Sequence, residues 1–339
     1  MGKIRLNTEK IVRLGLIALA ISLFVLMLRG CAIARGGAYG DSDAIEADGD
    51  DATVSIYDAD TDKVYSLPLE EYVLRVTAAE MPASFAEEAL KAQSVAARTY
   101  TARKMASLGG KPCGRGGADV CTDSTCCQAY RTREELSEKW GNSADMYFDK
   151  LSGAVSATRG VILTYQGKPI EALFHSSSGG MTEDAANVFG GDAPYLKSVS
   201  SPGEEGFSSY SATVSFTRKQ FANAVNAAIK GADISKNKLE EQVKILSKSE
   251  SGRVTKLQLG GKTVTGRELR RALGLNSTAF TIEISPERVV VSTRGYGHGV
   301  GMSQYGAEAM AQRGADYKEI LLHYYTGADI ETIDLGGIK

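Results

Sequence analysis

The residue best suited to acid–base chemistry is Glu80, in the stretch AAEMPASFAEEALKAQSVAARTY. The preceding segment, PLEEYVLRVTAAE, has apolar residues at helical spacing, and Glu80 falls on that stripe, four residues after Val76. Pro82 disfavours helical backbone at Met81, so the helix should end near Glu80. Burial and the carbonyl groups of a helix C-terminus both disfavour a carboxylate, so we expect a raised pKa. A carboxyl group that stays protonated near neutral pH can act as a general acid.

A structural ion pair is the alternative role for Glu80. The other charged residues of the helix, Glu70, Glu71 and Arg75, are expected on its solvated face. The next helix carries Arg98, which could pair with Glu80 or, as a candidate binding residue, contact the substrate. The helical pattern alone favours the ion pair, whereas the segments described next favour catalysis.

Two loops rich in small residues could contact a polar ligand. HSSSGG, residues 175–180, offers three hydroxyls and two glycines, and GYGHGVGMSQYGA, residues 295–307, brings backbone close to a ligand. The second loop lacks the third glycine of a dinucleotide-binding motif, and a tight turn capping the last helix is its alternative interpretation. The candidate substrate-binding residues are Ser176, Ser177, Ser178, Gly179, Gly180, His298, Gln304 and Tyr305.

Four cysteines lie close together in KPCGRGGADVCTDSTCCQAY: Cys113, Cys121, Cys126 and Cys127. Cysteines of exported proteins usually form disulfides. A glycine-rich loop with several thiolates also suits tetrahedral zinc. The spacing leaves both possibilities open, and either would hold together a loop that has little core of its own.

The remaining elements predict a mixed α+β domain of antiparallel hairpins and helices around a substrate groove. Hairpins are expected at residues 54–67, at 161–175 with a turn at Gly167 and Lys168, and in KILSKSESGRVTKLQL and FTIEISPERVVVST. Helices are expected at residues 218–229, in GRELRRALG, and at 302–325 with a break near Gly314.

The N-terminus predicts export. An uncharged apolar run, residues 14–28, follows basic residues and precedes acidic ones. By the positive-inside rule, this charge distribution favours a cytoplasmic N-terminus at residues 1–10. The apolar run itself favours an uncleaved transmembrane anchor at residues 11–29. A cleaved signal peptide is the alternative. Residues 30–52 are predicted to be a flexible acidic linker, and residues 53–339 the extracytoplasmic domain. The net charge of −2 gives no indication of a nucleic-acid partner.

Four segments in this order, AAEMPASFAEEALKAQSVAARTY, ADVCTDSTCCQAY, HSSSGGMTED and GYGHGVGMSQYGA, resemble the stage II sporulation protein D family, which includes amidase-enhancer wall proteins. The resemblance implies a membrane-anchored lytic transglycosylase. Such an enzyme cuts the MurNAc–GlcNAc bond of peptidoglycan without water and leaves a 1,6-anhydro-muramoyl end. It implies that Glu80 is the catalytic residue.

The resemblance also implies a structural zinc ion. Sporulation members are similar in using one histidine and two cysteines, and the cysteines correspond to Cys121 and Cys127. Arg115 stands at the histidine position and cannot be a ligand. Cys113, two residues earlier, is therefore the expected third ligand, with Cys126 in reserve.

The partners that the resemblance implies are peptidoglycan strands already stripped of stem peptides, a sporulation amidase and a multi-span membrane protein of the same engulfment complex. The site of action would be the space between mother cell and forespore. The alternative function is a non-catalytic, wall-binding enhancer of an N-acetylmuramoyl-L-alanine amidase, and a plain muramidase is a third possibility.

Overall fold

The protein is built around two hydrophobic cores, seen in a computed structural model that describes residues 52–334. The predicted cytoplasmic segment, anchor and linker fall almost entirely on residues 1–51, outside the described residues. Within residues 52–334, no helix combines the length and the apolar character needed to cross a membrane.

The helices are α1 (Leu69–Glu80), α2 (Glu87–Ala102), α3 (Arg133–Trp140), α4 (Ala144–Ala157), α5 (Ala185–Phe189), α6 (Arg218–Ala228), α7 (Leu239–Gln242), α8 (Gly266–Leu273), α9 (Gln304–Gln312) and α10 (Tyr317–Tyr324). The strands are β1 (Thr53–Asp58), β2 (Lys63–Pro68), β3 (Val120–Cys121), β4 (Val161–Tyr165), β5 (Lys168–Pro169), β6 (Phe174–His175), β7 (Ser211–Thr217), β8 (Val243–Lys248), β9 (Val254–Leu259), β10 (Lys262–Val264), β11 (Ala279–Ile284), β12 (Arg288–Arg294), β13 (Met302–Ser303) and β14 (Asp329–Thr332).

The strands form small sheets, ordered β2-β1-β3, β14-β4-β5, β10-β9-β8 and β11-β12-β7, with β13 paired to β6. Most pairs are antiparallel, and the fold is therefore the mixed α+β type that the sequence predicts. The predicted hairpins β1–β2, β8–β9 and β11–β12 are confirmed, as are the helix of residues 266–273 and the break between α9 and α10.

The predicted hairpin of residues 161–175 is wrong in its second half. The chain turns at Gln166 and Gly167, both with positive φ, and pairs β5 with β4 only as far as Pro169. The amide of Ile170 makes the last hydrogen bond to β4, to the carbonyl of Leu163 at 3.1 Å, and β14 occupies the other edge of β4. The strand β6 instead pairs in parallel with β13, far along the chain, and so joins two segments that the sequence singles out for function.

The first core surrounds α1, which contacts β1, β2, α2, α3 and α4. Because neighbours cover it on all sides, Glu70, Glu71 and Arg75 are buried, and their predicted solvated position is wrong. Buried charges need partners. Glu71 binds Arg75 on the same helix at 2.6 Å, while Glu70 binds a residue of α2, described below.

Helix α2 lies against α4, β4, α9 and α10, and its many alanines permit these close approaches. The second core consists of the sheets β10-β9-β8 and β11-β12-β7 with α6 and α8 packed on them. Of the two loops of functional interest, residues 295–301 connect β12 of the second core to β13, whose Met302 belongs to the first core.

Candidate functional site

Glu80 is the last residue of α1 and is partly buried. The backbone of Met81 is extended, as Pro82 requires, so the helix ends where the sequence predicts. Oxygen Oε1 of Glu80 accepts a hydrogen bond from the amide of Ala129 at 2.6 Å, and the side chain of Gln304 donates another. Neither partner carries a charge, so the carboxyl group is held in place without being tied to a cation.

Burial raises the pKa of Glu80 above its usual range, while the hydrogen bonds from Ala129 and Gln304 oppose the rise without cancelling it. A raised pKa is the direction that suits a general acid. The position of Glu80 on the apolar stripe of its helix predicts this burial and therefore the raised pKa.

Arg98 does not pair with Glu80. It is fully buried, and its guanidinium group is bound by both oxygens of Glu70, at 2.8 Å and 2.5 Å. It also donates to the carbonyl of Val161 at 3.1 Å. The expected ion pair with Glu80 is therefore wrong, and Arg98 is not at a surface that a substrate could contact.

The two loops lie against each other. We call residues 175–180 the serine loop and residues 295–301 the glycine loop. The amides and carbonyls of Ser177 and Tyr296 exchange hydrogen bonds at 3.0 Å and 2.7 Å. Gly179 has a φ of 76°, and a Cβ atom there would lie 2.7 Å from the amide nitrogen of Gly295, so only glycine permits this approach.

Backbone bonds link the loops to Glu80. The carbonyl of Ser176 accepts a hydrogen bond from the amide of Tyr305 at 3.0 Å. Gln304, the preceding residue, contacts the Glu80 carboxyl group. The predicted residues Glu80, Ser176, Gln304 and Tyr305 are therefore close neighbours, even though more than two hundred positions separate the first from the last.

Several predicted contacts are already occupied inside the protein. The hydroxyls of Ser177 and Ser178 donate to Glu204, each at 2.6 Å, and both serines are buried. The ring of Tyr305 packs against Phe85 and Phe207, with centroids 5.0 Å and 4.9 Å away. These side chains hold the loops in place, while Ser176 and the glycines remain partly exposed.

Glu204 is a residue that the sequence analysis missed. Its carboxylate is fully buried and also accepts from the hydroxyls of Ser201 and Ser303 and from the amide of Ser178. It therefore fastens the serine loop to the start of α9. One of two adjacent glutamates in a turn-rich segment, SPGEEG, gives no local signal of this role.

The ring of His298 lies beside the rings of His175 and Phe189, with ring centroids 5.6 Å and 5.5 Å away. Its Nδ1 atom accepts from the amide of Val300 at 3.1 Å. Burial, followed by the charge of Arg253, lowers the pKa of His298 to about 4, so the ring is neutral near neutral pH. It lines a cavity of about 420 Å³ beside α8.

The four cysteines converge on one point. The Sγ atoms of Cys113, Cys121, Cys126 and Cys127 all lie within 4.8 Å of one another, and none of the four forms a disulfide. A tetrahedral zinc ion with Zn–S bonds of about 2.3 Å would place its sulfurs about 3.8 Å apart, so the four thiols fit that metal after a small contraction. Cys126, the reserve ligand of the sequence prediction, lies in the cluster together with the three expected ligands.

Arg115 is not a ligand and has another role. Its guanidinium group binds Asp123 at 2.9 Å, across the loop that carries the cysteines. Burial raises the pKa of Cys121 to about 11, so a bound metal ion would have to displace the thiol proton.

The cysteine cluster is connected directly to Glu80. We call residues 113–129 the cysteine loop, and its last residue, Ala129, provides the amide that binds the Glu80 carboxyl group. Between them, Gln128 is buried and donates to the hydroxyl of Thr101 on α2 at 3.2 Å. Holding the loop closed therefore also holds the donor that faces Glu80.

Comparisons with known proteins agree with this organisation. A family model described as "Stage II sporulation protein" (SpoIID) matches residues 57–165, and one described as "Domain of unknown function (DUF8618)" matches residues 191–301. The chain is 39% identical to stage II sporulation protein D of Bacillus subtilis (strain 168) over 282 residues, covering 83% of this chain and 80% of that protein.

Two further relatives extend the comparison. Stage II sporulation protein D of Bacillus amyloliquefaciens is 39% identical over 283 residues, covering 83% of this chain and 79% of that protein. The amidase enhancer of Bacillus subtilis (strain 168) is 28% identical over 299 residues, which is 74% of this chain but 39% of the enhancer. The chain belongs to the stage II sporulation protein D family.

Proposed function

We propose that this protein is a peptidoglycan lytic transglycosylase that cleaves MurNAc–GlcNAc bonds of denuded glycan strands and leaves 1,6-anhydro-MurNAc ends. The observation that carries the proposal is the Glu80 carboxyl group, partly buried, with a raised pKa and two uncharged donors. The serine loop and the start of α9 lie beside it and would form the wall of a groove for the glycan.

The reaction needs one proton carrier. Protonated Glu80 donates to the glycosidic oxygen, and the bond between that oxygen and the muramic C1 atom breaks. The C6 hydroxyl of the same muramic residue attacks C1, and its proton passes to the Glu80 carboxylate. One C–O bond has broken and one has formed, no water is consumed, and the carboxyl group is protonated again.

A single carboxyl group suffices because the nucleophile belongs to the substrate. Hydrolytic glycosidases ordinarily use two carboxylates, the second one acting as the nucleophile or activating water. The chemistry of the ends therefore separates the two reactions: a transglycosylase leaves anhydro-muramic ends, whereas a plain muramidase leaves reducing ones.

Zinc is the metal that the four thiols suit, held by Cys113, Cys121, Cys126 and Cys127. With four cysteine ligands the ion would have no open position, so its role is structural. It would stabilise the cysteine loop and thereby the Ala129 amide that orients Glu80.

The protein is proposed to act outside the cytoplasm, anchored by one N-terminal helix, in the space between mother cell and forespore. A sporulation amidase would supply its denuded substrate, and a multi-span membrane protein would complete the complex. The similarity to an amidase enhancer supports the link to an amidase.

The test is product analysis. The full-length chain in detergent is incubated with denuded glycan strands, and the ends are identified by mass spectrometry. Anhydro-muramic ends are expected from the unchanged chain and from Glu138→Gln, a control at an exposed glutamate of α3, but not from Glu80→Gln. Reducing muramic ends instead would identify a muramidase and contradict the proposal.

The amidase-enhancer relative gives a second candidate function, a non-catalytic wall-binding protein. This candidate predicts no new glycan ends with any variant. It also predicts faster release of stem peptides when the chain is added to a purified wall amidase, to the same extent with Glu80→Gln. Anhydro ends that depend on Glu80 would exclude it as the sole function.

A further inference from the structure

The cavity beside His298 is lined by basic side chains that have no role in the proposed cleavage of the glycosidic bond. It has a volume of about 420 Å³ and lies between α8 and the glycine loop. Its polar lining consists of Arg267, Arg270, Arg271, Asn276, Tyr296 and His298. No acidic side chain lines it, although the chain as a whole has more acidic than basic residues.

Among the described residues, the three arginines form no close ion pair with a carboxylate, although Glu268, one turn before Arg271 on α8, interacts with it electrostatically. Arg267 donates to the carbonyl of Val188, and Arg270 donates through Nε to the carbonyl of Leu275 at 3.1 Å. Burial lowers the pKa of Arg270, and the neighbouring charges of Arg267 and Arg271 lower it further, whereas Tyr296 opposes the change. Such a concave basic surface attracts an anion.

Two exposed aromatic rings flank the same surface. Phe189 is 52% exposed and Tyr296 is 47% exposed, which makes them unusual among the large apolar side chains. The Phe189 ring contacts His298, with centroids 5.5 Å apart, and the Arg267 guanidinium lies 5.8 Å from the Phe189 centroid. Aromatic faces beside arginines suit a ligand with both apolar ring faces and an anionic group.

The cavity is connected to the Glu80 site. The backbone of Tyr296 pairs with Ser177, and the preceding residue, Ser176, accepts from the amide of Tyr305. Gln304 lies six positions after His298, so their Cα atoms can be at most about 20 Å apart. A strand of several sugars bound at Glu80 could therefore extend to the cavity.

We propose that this cavity is an anion subsite that binds the lactyl carboxylate of a muramic residue, several sugars away from the bond that is cut. The inference rests on the proposed function, because it takes denuded glycan as the substrate. Removal of a stem peptide converts the lactyl amide of muramic acid into a free carboxylate. A guanidinium group binds a carboxylate through two parallel hydrogen bonds, whereas the amide of a peptide-bearing strand is neutral. The arginines would thus select strands that an amidase has already processed.

The test compares two glycans of equal length, one with free lactyl carboxylates and one in which these are coupled to methylamine as neutral amides. Binding is measured with the full-length chain carrying Glu80→Gln, so that cleavage does not interfere. We expect the free-carboxylate glycan to bind about tenfold more tightly than the amidated one. Adding Arg271→Gln should reduce this preference to about threefold, and Arg270→Gln with Arg271→Gln should abolish it.

Two controls separate the subsite from general electrostatics and from misfolding. Arg288→Gln removes an equal charge from the opposite end of β12, where the arginine is exposed, and should leave the tenfold preference intact. Among the described residues the side chain of Arg271 has no hydrogen bond or close ion pair, and its charge interacts only through space with Glu268 on the same helix, so Arg271→Gln should leave the fold intact. Tyr296→Ala should weaken binding of both glycans equally, because a sugar face is present in each.

The proposal is overturned if the two glycans bind equally, if the preference survives the double arginine variant, or if Arg288→Gln reduces it as much. Because the readout is binding, these outcomes are distinct from failure of the proposed function. Absence of anhydro ends from the unchanged chain, with the arginine-dependent preference retained, would refute the transglycosylase and leave the subsite standing.

Discussion

Replacing Glu204 by glutamine should destabilise the protein by about 2–4 kcal/mol. The buried carboxylate accepts four serine hydroxyls and one backbone amide, at distances of 2.6 to 2.9 Å. Hydrogen bonds to a charged group contribute about 1.5–3 kcal/mol each, and those to a neutral group about 0.5–1.5. Neutralising the acceptor weakens every one of these bonds.

The geometry also decides how glutamine would sit. The amide of Ser178 can only donate, so the glutamine oxygen must take the place of Oε2. The new NH₂ group then faces the hydroxyls of Ser178, Ser201 and Ser303, which now donate to Oε1 and would have to turn round and accept. Hydroxyls can rotate, which limits the loss to a few kcal/mol.

The assay is denaturant unfolding of the full-length chain, followed by circular dichroism and by the fluorescence of its one tryptophan, Trp140. The matched control is Glu205→Gln, at the exposed neighbouring glutamate, which should change the free energy of unfolding by less than about 0.5 kcal/mol. A Glu204→Gln chain as stable as this control would refute the reasoning, because the charge would then contribute nothing to holding the serine loop.

The remaining predictions concern the buried pair, the cysteine cluster and the catalytic candidate. Glu70→Ala should lower the free energy of unfolding by about 3–5 kcal/mol, because Arg98 is left buried without its carboxylate, and a loss below 1 kcal/mol in denaturant unfolding would contradict this. Cys126→Ser should reduce the amount of bound zinc measured by atomic emission, whereas Arg115→Gln should not. Full zinc occupancy in Cys126→Ser would show that three thiols hold the ion without Cys126. Because burial raises the pKa of Glu80, its carboxylate costs stability as pH rises through that pKa, so Glu80→Gln should stabilise the chain near neutral pH but not below about pH 4. Unfolding curves at the two pH values check this, and an equal effect at both would count against a raised pKa.

Local patterns account for what the sequence predicts correctly. The hairpins β1–β2, β8–β9 and β11–β12 follow from alternation around polar turns, and the end of α1 follows from Pro82. The placement of Glu80 follows from its position on the stripe that includes Val76. These features depend on residues a few positions apart, and their physical causes can be read directly from the chain.

The errors all concern partners that are distant in sequence. The pairing of β6 with β13 joins segments more than a hundred residues apart, and a short strand offers no pattern from which to choose its partner. The surroundings of Glu204 come from several loops at once. The charged residues Glu70 and Arg75 suggest a solvated helix face, but tertiary packing covers that face and pairs the charges internally.

The partner of Arg98 determines whether Glu80 can serve as an acid. Glu70 and Glu80 lie ten residues apart on α1, which separates them by about 15 Å along the helix axis, so one guanidinium group cannot bind both. Had Arg98 paired with Glu80, the cation would have favoured the carboxylate and lowered its pKa, which is unsuited to donating a proton near neutral pH. Because both oxygens of Glu70 bind Arg98, that cation does not lower the pKa of Glu80. The pKa of Glu80 is instead set by burial and by two uncharged hydrogen-bond donors. Arg98 thus finds its carboxylate ten residues earlier in the same helix, and the acid role proposed for Glu80 depends on that pairing.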